Sequence, residues 1–187
     1  MGKIKMFAYV SIDGYMTRTD GDIDWILEFE DSGKTDYGLK DFFDAIDTVV
    51  MNQNHYRILL GYDLCASCMS KPTVMISTNL DYKIAGNYDV EYVISEPEGY
   101  GEAVEFLQNR KAADRGDMWL AGDHRLIHAL LGSGLVDEIT VTMLPVSLGG
   151  GVRLLPAGFR ESDWRKSNVR DYQNGAVQMT YRVVGPS

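Results

Sequence analysis

Three groups of residues in this 187-residue chain have types and spacing that could carry chemistry. The first is Met118 to Leu131. Met118 to Ala121 is a short apolar run suited to a buried strand, Gly122-Asp123 makes a tight turn, and Asp123 is a good N-cap for the helix that follows. A strand, a glycine turn and an exposed helix start form an anion site, because free amides and the helix dipole both favour a phosphate. Arg125 could add a charge-assisted contact. Asp123 works against this, since its charge would repel an anion at the same end. A plain strand-to-helix connection is the competing explanation. The second group centres on Asp13, which could orient or protonate a substrate ring, or could simply be the turn residue before Gly14. The third is a set of pairs. His124 and His128 share a helix face and could hold a metal, but no Glu stands between them as in zinc proteases and no third ligand is evident. Cys65 and Cys68 are spaced CxxC, yet their flanks read as a loop rather than the strand–helix junction of a redox pair. They are expected to be two thiols in a reducing cytoplasm, and no metal centre is expected. Trp25 and Tyr15 could stack on a flat ring or pack in a core or lid.

The elements that must position these residues follow from periodicity. Lys3 to Ile12 alternates and then runs apolar, as a buried strand does. Ile23 to Phe29 holds one or two helical turns, and Tyr37 to Ile46 places Leu39, Phe42, Phe43 and Ile46 on one helical face. Thr48 to Met51 is a short central strand, and 52–60 is a loop or a helix start. Residues 61–71 read as a loop, Pro72 to Ser77 as a strand, and Tyr88 to Ser95 as another. A helix runs from Pro97-Glu98-Gly99 to about Arg110. Leu126, Ile127, Leu130 and Leu131 make the apolar face of the next helix, which Gly132 and Gly134 stop. Val136 to Pro145 is a strand, and Gly149-Gly150-Gly151 allows backbone conformations closed to other residues. Two alternating segments, Trp164 to Tyr172 and Val177 to Val184, flank Gln173-Asn174-Gly175, a strong hairpin signal. The fold class is α/β: a central mixed, mostly parallel sheet flanked by helices, closed by a C-terminal antiparallel hairpin. Ligands of such sheets sit at the carboxyl ends of strands. Ser11 to Gly14, Asn52 to His55, Ser77-Thr78 and Ala121 to Arg125 all fall there.

Length and composition narrow the rest. Residues 1–187 are expected to form a single domain with a sizeable core. A net charge of −9, with no basic run, argues against nucleic-acid and anionic-membrane partners. No apolar run approaches the roughly 20 residues a membrane span needs. The first residues, MGKIKMFAYVSIDG, read as a first strand rather than a leader, so a cytoplasmic protein is expected.

The order of segments resembles the dihydrofolate-reductase-like family, in particular the branch that includes the C-terminal reductase domain of the bifunctional riboflavin-biosynthesis protein RibD. The residues that carry the resemblance are VSIDGYM (10–16), VVMNQNHY (49–56), TVMIS (73–77), WLAGDHRLIHALL (119–131) and LVDEITVTMLPVSLGGG (135–151). The resemblance implies NADPH binding, with NADH possible, and hydride transfer to a pterin- or pyrimidine-like ring. It implies a small-molecule substrate and a homodimer. It further implies that Ala121-Gly122 lies beneath the cofactor pyrophosphate, with the amides of Asp123, His124, Arg125 and Leu126 facing the phosphates. Ser77 and Thr78 would lie near the adenosine 2′-phosphate. Val10, Ser11, Asp13 and Gly14 would lie beside nicotinamide and substrate, and Leu144-Pro145 with Gly149, Gly150 and Gly151 near the nicotinamide ribose. Asp13 is the expected catalytic residue, and Gly14, Tyr15, Trp25, Leu144 and Pro145 complete the expected substrate contacts.

The chain departs from the family where Gly-Arg-x-Thr follows the second strand. Here Asn52-Gln53-Asn54-His55 stands, so the arginine that grips the 2′-phosphate is missing, and His55 either replaces the threonine or, as is commoner, is a surface residue at a helix start. A charge-assisted contact contributes about 1.5–3 kcal/mol, so preference for NADPH over NADH should weaken. Ala121 replaces the first glycine of the pair, and Thr78 stands where a basic residue is common. The expected activity is therefore an NAD(P)H-dependent reductase, similar to 5-amino-6-(5-phosphoribosylamino)uracil reductase or dihydrofolate reductase. The alternative is a non-catalytic nucleotide- or flavin-binding protein on the same scaffold.

Overall fold

The alternation of the first segment becomes strand β1 (Ile4–Ser11), whose residues alternate between buried and half-buried until Val10 and Ser11 are both enclosed. The computed structural model describes all residues except Lys34, Asp63, Leu64, Pro97, Gly99, Asp114, Arg115, Arg160 and 185–187, and the backbone alone of 30–33, 65 and 66. After β1 come β2 (Tyr15–Thr17), α1 (Asp24–Gly33), α2 (Leu39–Asp44), β3 (Thr48–Asn52), α3 (Gln53–Gly61), α4 (Cys65–Cys68), β4 (Thr73–Ser77) and β5 (Val90–Ile94). The chain continues with α5 (Gly101–Ala112), β6 (Met118–Leu120), α6 (His124–Gly132), β7 (Val136–Leu144), β8 (Val152–Arg153), β9 (Trp164–Asp171) and β10 (Val177–Val183). Hydrogen bonds order the main sheet β5-β4-β3-β6-β1-β7-β10-β9, and β2 pairs with β8 separately. The expected mixed, mostly parallel sheet with a terminal antiparallel hairpin is what forms.

The chain divides into two compact units, each drawn from two stretches of sequence. The first, residues 1–5 and 44–136, holds β3 to β6 and the first two residues of β1. Every pairing in it is parallel, with Val49 opposite Thr73 and Met75 opposite Tyr92. Strands β3 and β4 are buried along their whole length. That is why both read as unbroken apolar runs rather than alternations. Helix α6 buries Leu126, Ile127, Leu130 and Leu131. Each such side chain contributes roughly 1.5–3 kcal/mol.

The second unit, residues 6–43 and 137–187, holds the rest of β1 with β7, β9 and β10. Strand β10 lies antiparallel between β7 and β9. Its core gathers Trp25, Ile26, Tyr37, Leu144 and Ala176. The buried Gln178 is satisfied: its amide donates to the Tyr37 carbonyl at 2.7 Å and to Thr142 Oγ1 at 2.8 Å.

Several boundaries differ from the sequence expectation for identifiable reasons. Helix α2 starts at Leu39 rather than Tyr37, because Tyr37 and Gly38 have positive φ and Asp36 accepts from the amides of Gly38 and Lys40. Residues 53–61 are a helix because Asn52 Oδ1 caps it, accepting from the His55 amide at 3.3 Å. Helix α5 starts at Gly101, after Tyr100 in a left-handed conformation; the expected start at Pro97 and Gly99 lies outside the described residues. The expected loop over 61–71 contains the short α4, and the β2–β8 pairing was not legible at all.

Candidate functional site

In the first unit, the carboxyl ends of β3 and β4 open into a cavity of about 170 Å³. Asn52, Gln53 and Asn54 line it from β3 and the head of α3, Ile76, Ser77 and Thr78 from β4, and Tyr100 and Arg125 complete it. Three of the four strand ends expected to converge therefore do so, at Asn52 to Asn54, Ser77-Thr78 and Arg125. The fourth, Ser11 to Gly14, belongs to the second unit.

Asn52 organises this cavity. It is buried, and its Oδ1 accepts from the amide of Asp123 at 3.1 Å as well as from that of His55. Its amide nitrogen donates to the Tyr100 hydroxyl at 3.3 Å. One side chain thus ties β3, the start of α6 and the approach to α5. Tyr100 is absent from the sequence expectation. It is 4% exposed, holds a φ of +52°, and burial pushes its phenol pKa up. Its only sequence signal was an aromatic residue set between two glycines at a helix start. The Ser77 hydroxyl, which also lines the cavity, has two acceptors within reach of its one proton, Gln53 Oε1 at 3.3 Å and the Asn79 carbonyl at 3.1 Å.

The expected phosphate cradle at Ala121 to Leu126 is already occupied by the chain's own anion. Asp123 Oδ1 accepts from the amides of Arg125 and Leu126, both at 3.1 Å, and its Oδ2 accepts from the Asn54 amide group at 3.0 Å. Burial raises the Asp123 carboxyl, but the bonds from Asn54, Leu126 and Asn52 outweigh it and hold it below the usual range. The Ala121 amide pairs with the Val50 carbonyl, continuing the sheet. Gly122 is required by a close approach, since a Cβ there would meet Leu126 Cδ2 at 2.8 Å. The glycine therefore serves helix packing.

The histidines also change role. Burial pushes the His55 imidazole down to about 4, against the opposite pull of Asp123. It is neutral near pH 7 and offers no cation in place of the missing arginine. His124 and His128 stack edge to face at 5.9 Å, and no cluster of three potential metal ligands occurs among the described residues. Cys68 is half-buried, whereas the Cys65 side chain lies outside the described residues.

In the second unit, Asp13 is a clasp. Its Oδ1 accepts from Ser11 Oγ at 2.6 Å and from the Leu148 amide at 3.2 Å, and its Oδ2 accepts from the Gly149 amide at 2.8 Å and from Ser147 Oγ at 3.1 Å. The Ser11 hydroxyl above all, then the amides of Gly149 and Leu148, hold this carboxyl far below the usual range. A general acid must carry a proton at working pH, and Asp13 is arranged to have none. Trp25 and Leu144 are core residues, 3% and 0% exposed, so Trp25 does not present a free stacking face. Val10 is likewise buried, whereas Pro145 is exposed. One face of Tyr15 is covered by the Arg153 guanidinium, 4.8 Å from the ring centre. Gly14 and Gly150 are half-buried beside the clasp.

Comparison with known proteins agrees with this architecture. YwjB of Bacillus subtilis strain 168 is 28% identical over 179 residues, covering 96% of this chain and 97% of its own. A protein of Shewanella sp. PV-4 named for riboflavin biosynthesis superposes with a TM-score of 0.80 at 24% identity, over 97% of this chain and 99% of that one. Dihydrofolate reductase of Enterococcus faecalis, complexed with NADP(H), superposes with a TM-score of 0.59 at 15% identity, over 97% and 96%. These likenesses establish the dihydrofolate-reductase-like fold. The model of the RibD C-terminal domain matches residues 67–178, more than half of the sequence, and the chain belongs to that family.

Proposed function

We propose that this protein is a reductase that uses a nicotinamide dinucleotide to reduce a small pyrimidine- or pterin-like compound, in a cytoplasmic setting. The observation that carries this is a polar cavity at the carboxyl ends of β3 and β4 in a chain of the RibD C-terminal domain family. The residues present fit the ribose and amide groups of such a cofactor better than its phosphates, because the lining is mostly neutral and the amides at the head of α6 are engaged by Asp123. Asn52, Gln53, Asn54, Ser77, Thr78 and Arg125 would hold the dinucleotide. In the second unit, Ser11, Gly14, Tyr15, Pro145, Gly149 and Gly150 are assigned to the substrate side. Asp13 fixes the loop that carries Ser147 to Gly149.

When bound, the cofactor supplies a hydride. The matching proton is assigned to water, since Asp13 is held ionised. The test is calorimetric titration with NADH and with NADPH, followed by dihydronicotinamide oxidation in the presence of 5-amino-6-(5-phosphoribosylamino)uracil or dihydrofolate. Saturable binding and substrate-dependent oxidation are expected. Failure of both dinucleotides to bind removes the proposal.

A second reading, a non-catalytic holder of a planar ligand, is favoured by the neutral Asn52-Gln53-Asn54 run standing where the resemblance leads one to expect a phosphate-gripping arginine. A stoichiometric non-nicotinamide ligand in native mass spectra of the purified protein would establish it. A homodimer is proposed too, with the largely exposed edge strand β9 as the surface available; light scattering that reports a monomer removes it.

A further inference from the structure

We infer that the cavity at the ends of β3 and β4 takes an unphosphorylated ribose, so that the protein prefers NADH to NADPH, and that Asp123 sets this preference. The inference rests on the reductase reading above and narrows it. A cavity of about 170 Å³ is smaller than the roughly 300–1,000 Å³ of a whole ligand site, so it takes one part of a dinucleotide.

The chemistry of the lining selects the part. Asn52, Gln53, Asn54, Ser77 and Thr78 bring amides and hydroxyls, which both donate and accept. A ribose diol also does both. A phosphate dianion accepts and needs cations or several free donors. Among the described residues, Arg125 is the only cationic side chain in the lining, and it is exposed. Its charge is assigned to the pyrophosphate, which both dinucleotides carry and which therefore does not discriminate.

Asp123 supplies the repulsive element that selectivity needs. Its carboxylate draws in the two first-turn amides of α6 and the Asn54 amide group, and Asn54 itself lines the cavity. A phosphate on the ribose would thus bring a second anion next to donors that already serve one. In this partly buried setting the like-charge interaction is weakly screened. Gln53 stands at the head of α3 with its amide oxygen engaged by the Ser77 hydroxyl, a neutral side chain where a ribose phosphate would call for a cation.

The test is calorimetric titration of the purified protein with NADH and NADPH in parallel, repeated for three variants. The unaltered protein should bind NADH about tenfold more tightly or better. Gln53→Arg should reverse the order by supplying a cation. Asp123→Asn keeps a helix-capping acceptor, so the fold should persist, and it should tighten NADPH several-fold more than NADH. Arg125→Ala should weaken both by the same factor. Equal or tighter NADPH binding by the unaltered protein overturns the inference and leaves the reductase reading standing. So does an equal response of both dinucleotides to Asp123→Asn, or a selective loss of NADPH in Arg125→Ala. Binding of neither dinucleotide removes the reductase reading, and the inference with it.

Discussion

Asp123 in the first unit and Asp13 in the second are alike in chemistry and unlike in reach. Each is a carboxylate placed just past a strand, and each serves as an internal anion surrounded by donors of the chain itself. Asp123 collects its backbone bonds locally, from the amides two and three residues on. Asp13 collects its backbone bonds from Leu148 and Gly149, separated from it by 135 and 136 positions in sequence. The local anion caps a helix and biases the neighbouring cavity against further negative charge. The long-range anion fastens a glycine-rich loop to the end of β1. Asp123 caps α6, as its place ahead of the helix leads one to expect, Asp13 bonds the loop at Ser147 to Gly149, and the groups left to read a ligand in the first unit are mostly neutral amides and hydroxyls.

The sharpest way to break the second region is at Gly151, which has a φ of +138° and where a Cβ would be driven into the Thr17 carbonyl. Gly151→Ala should cost at least about 3 kcal/mol of stability in urea unfolding. A loss under about 1 kcal/mol would show that the loop is not fixed by that backbone. In the first region, Asn52→Ala removes partners from two amides and a buried hydroxyl at once, and a loss of roughly 2–4 kcal/mol is expected. A near-neutral effect would mean that the cavity is not built around this side chain.

Acid should distinguish the regions further. His55 has its folded-state value pushed from 6.5 down to about 4. Above pH 6.5 both states are neutral and nothing changes. Between 6.5 and 4 the unfolded chain takes up a proton that the folded chain refuses, so stability falls as pH falls. The drop should be roughly 2 kcal/mol between pH 7 and pH 5, and His55→Gln should flatten that part of the profile. A variant with the same pH slope as the parent would remove the assignment. Asp13 has the same sign but a lower window: its contribution is present above the ordinary carboxylate value of 3.8 and fades as pH falls below it. The smallest expected effect is local. Asp13→Asn should leave the global midpoint little changed while hydrogen exchange quickens at Leu148 and Gly149. Unchanged exchange there would show that the loop holds without the clasp.

Much of the framework was legible before the structure. The unbroken apolar runs at Val49 to Met51 and Thr73 to Ile76 announce central parallel strands, because burial on both faces removes any reason to alternate. Asp123 ahead of Leu126, Ile127, Leu130 and Leu131 announces a capped amphipathic helix. Asn174-Gly175 between alternating segments announces the hairpin, and Gly175 does take a positive φ. What was missed depended on contacts remote in sequence. The β2–β8 pairing joins Tyr15 to Arg153, and neither strand is long enough to show a period. Trp25 could be read as a stacking surface because its burial depends on Leu144 and Ala176, more than a hundred positions away. The left-handed Tyr100 was hidden because the residue type alone does not select that conformation, and its partner Asn52 lies 48 positions away.

The sequence by itself determined the parts whose physics is short-ranged: periodicity chose strand or helix, caps and glycines chose their ends, and the order of elements chose the family's fold. Only the tertiary structure decided what the charged residues do. A carboxylate's role depends on which donors surround it, and three-dimensional packing alone brings Ser147 to Asp13 or Asn54 to Asp123. The same is true of the cavity. Its glutamine, asparagines, serine and threonine are ordinary surface residue types in the sequence, and they become a recognition surface only because β3 and β4 lie side by side and end at the same level.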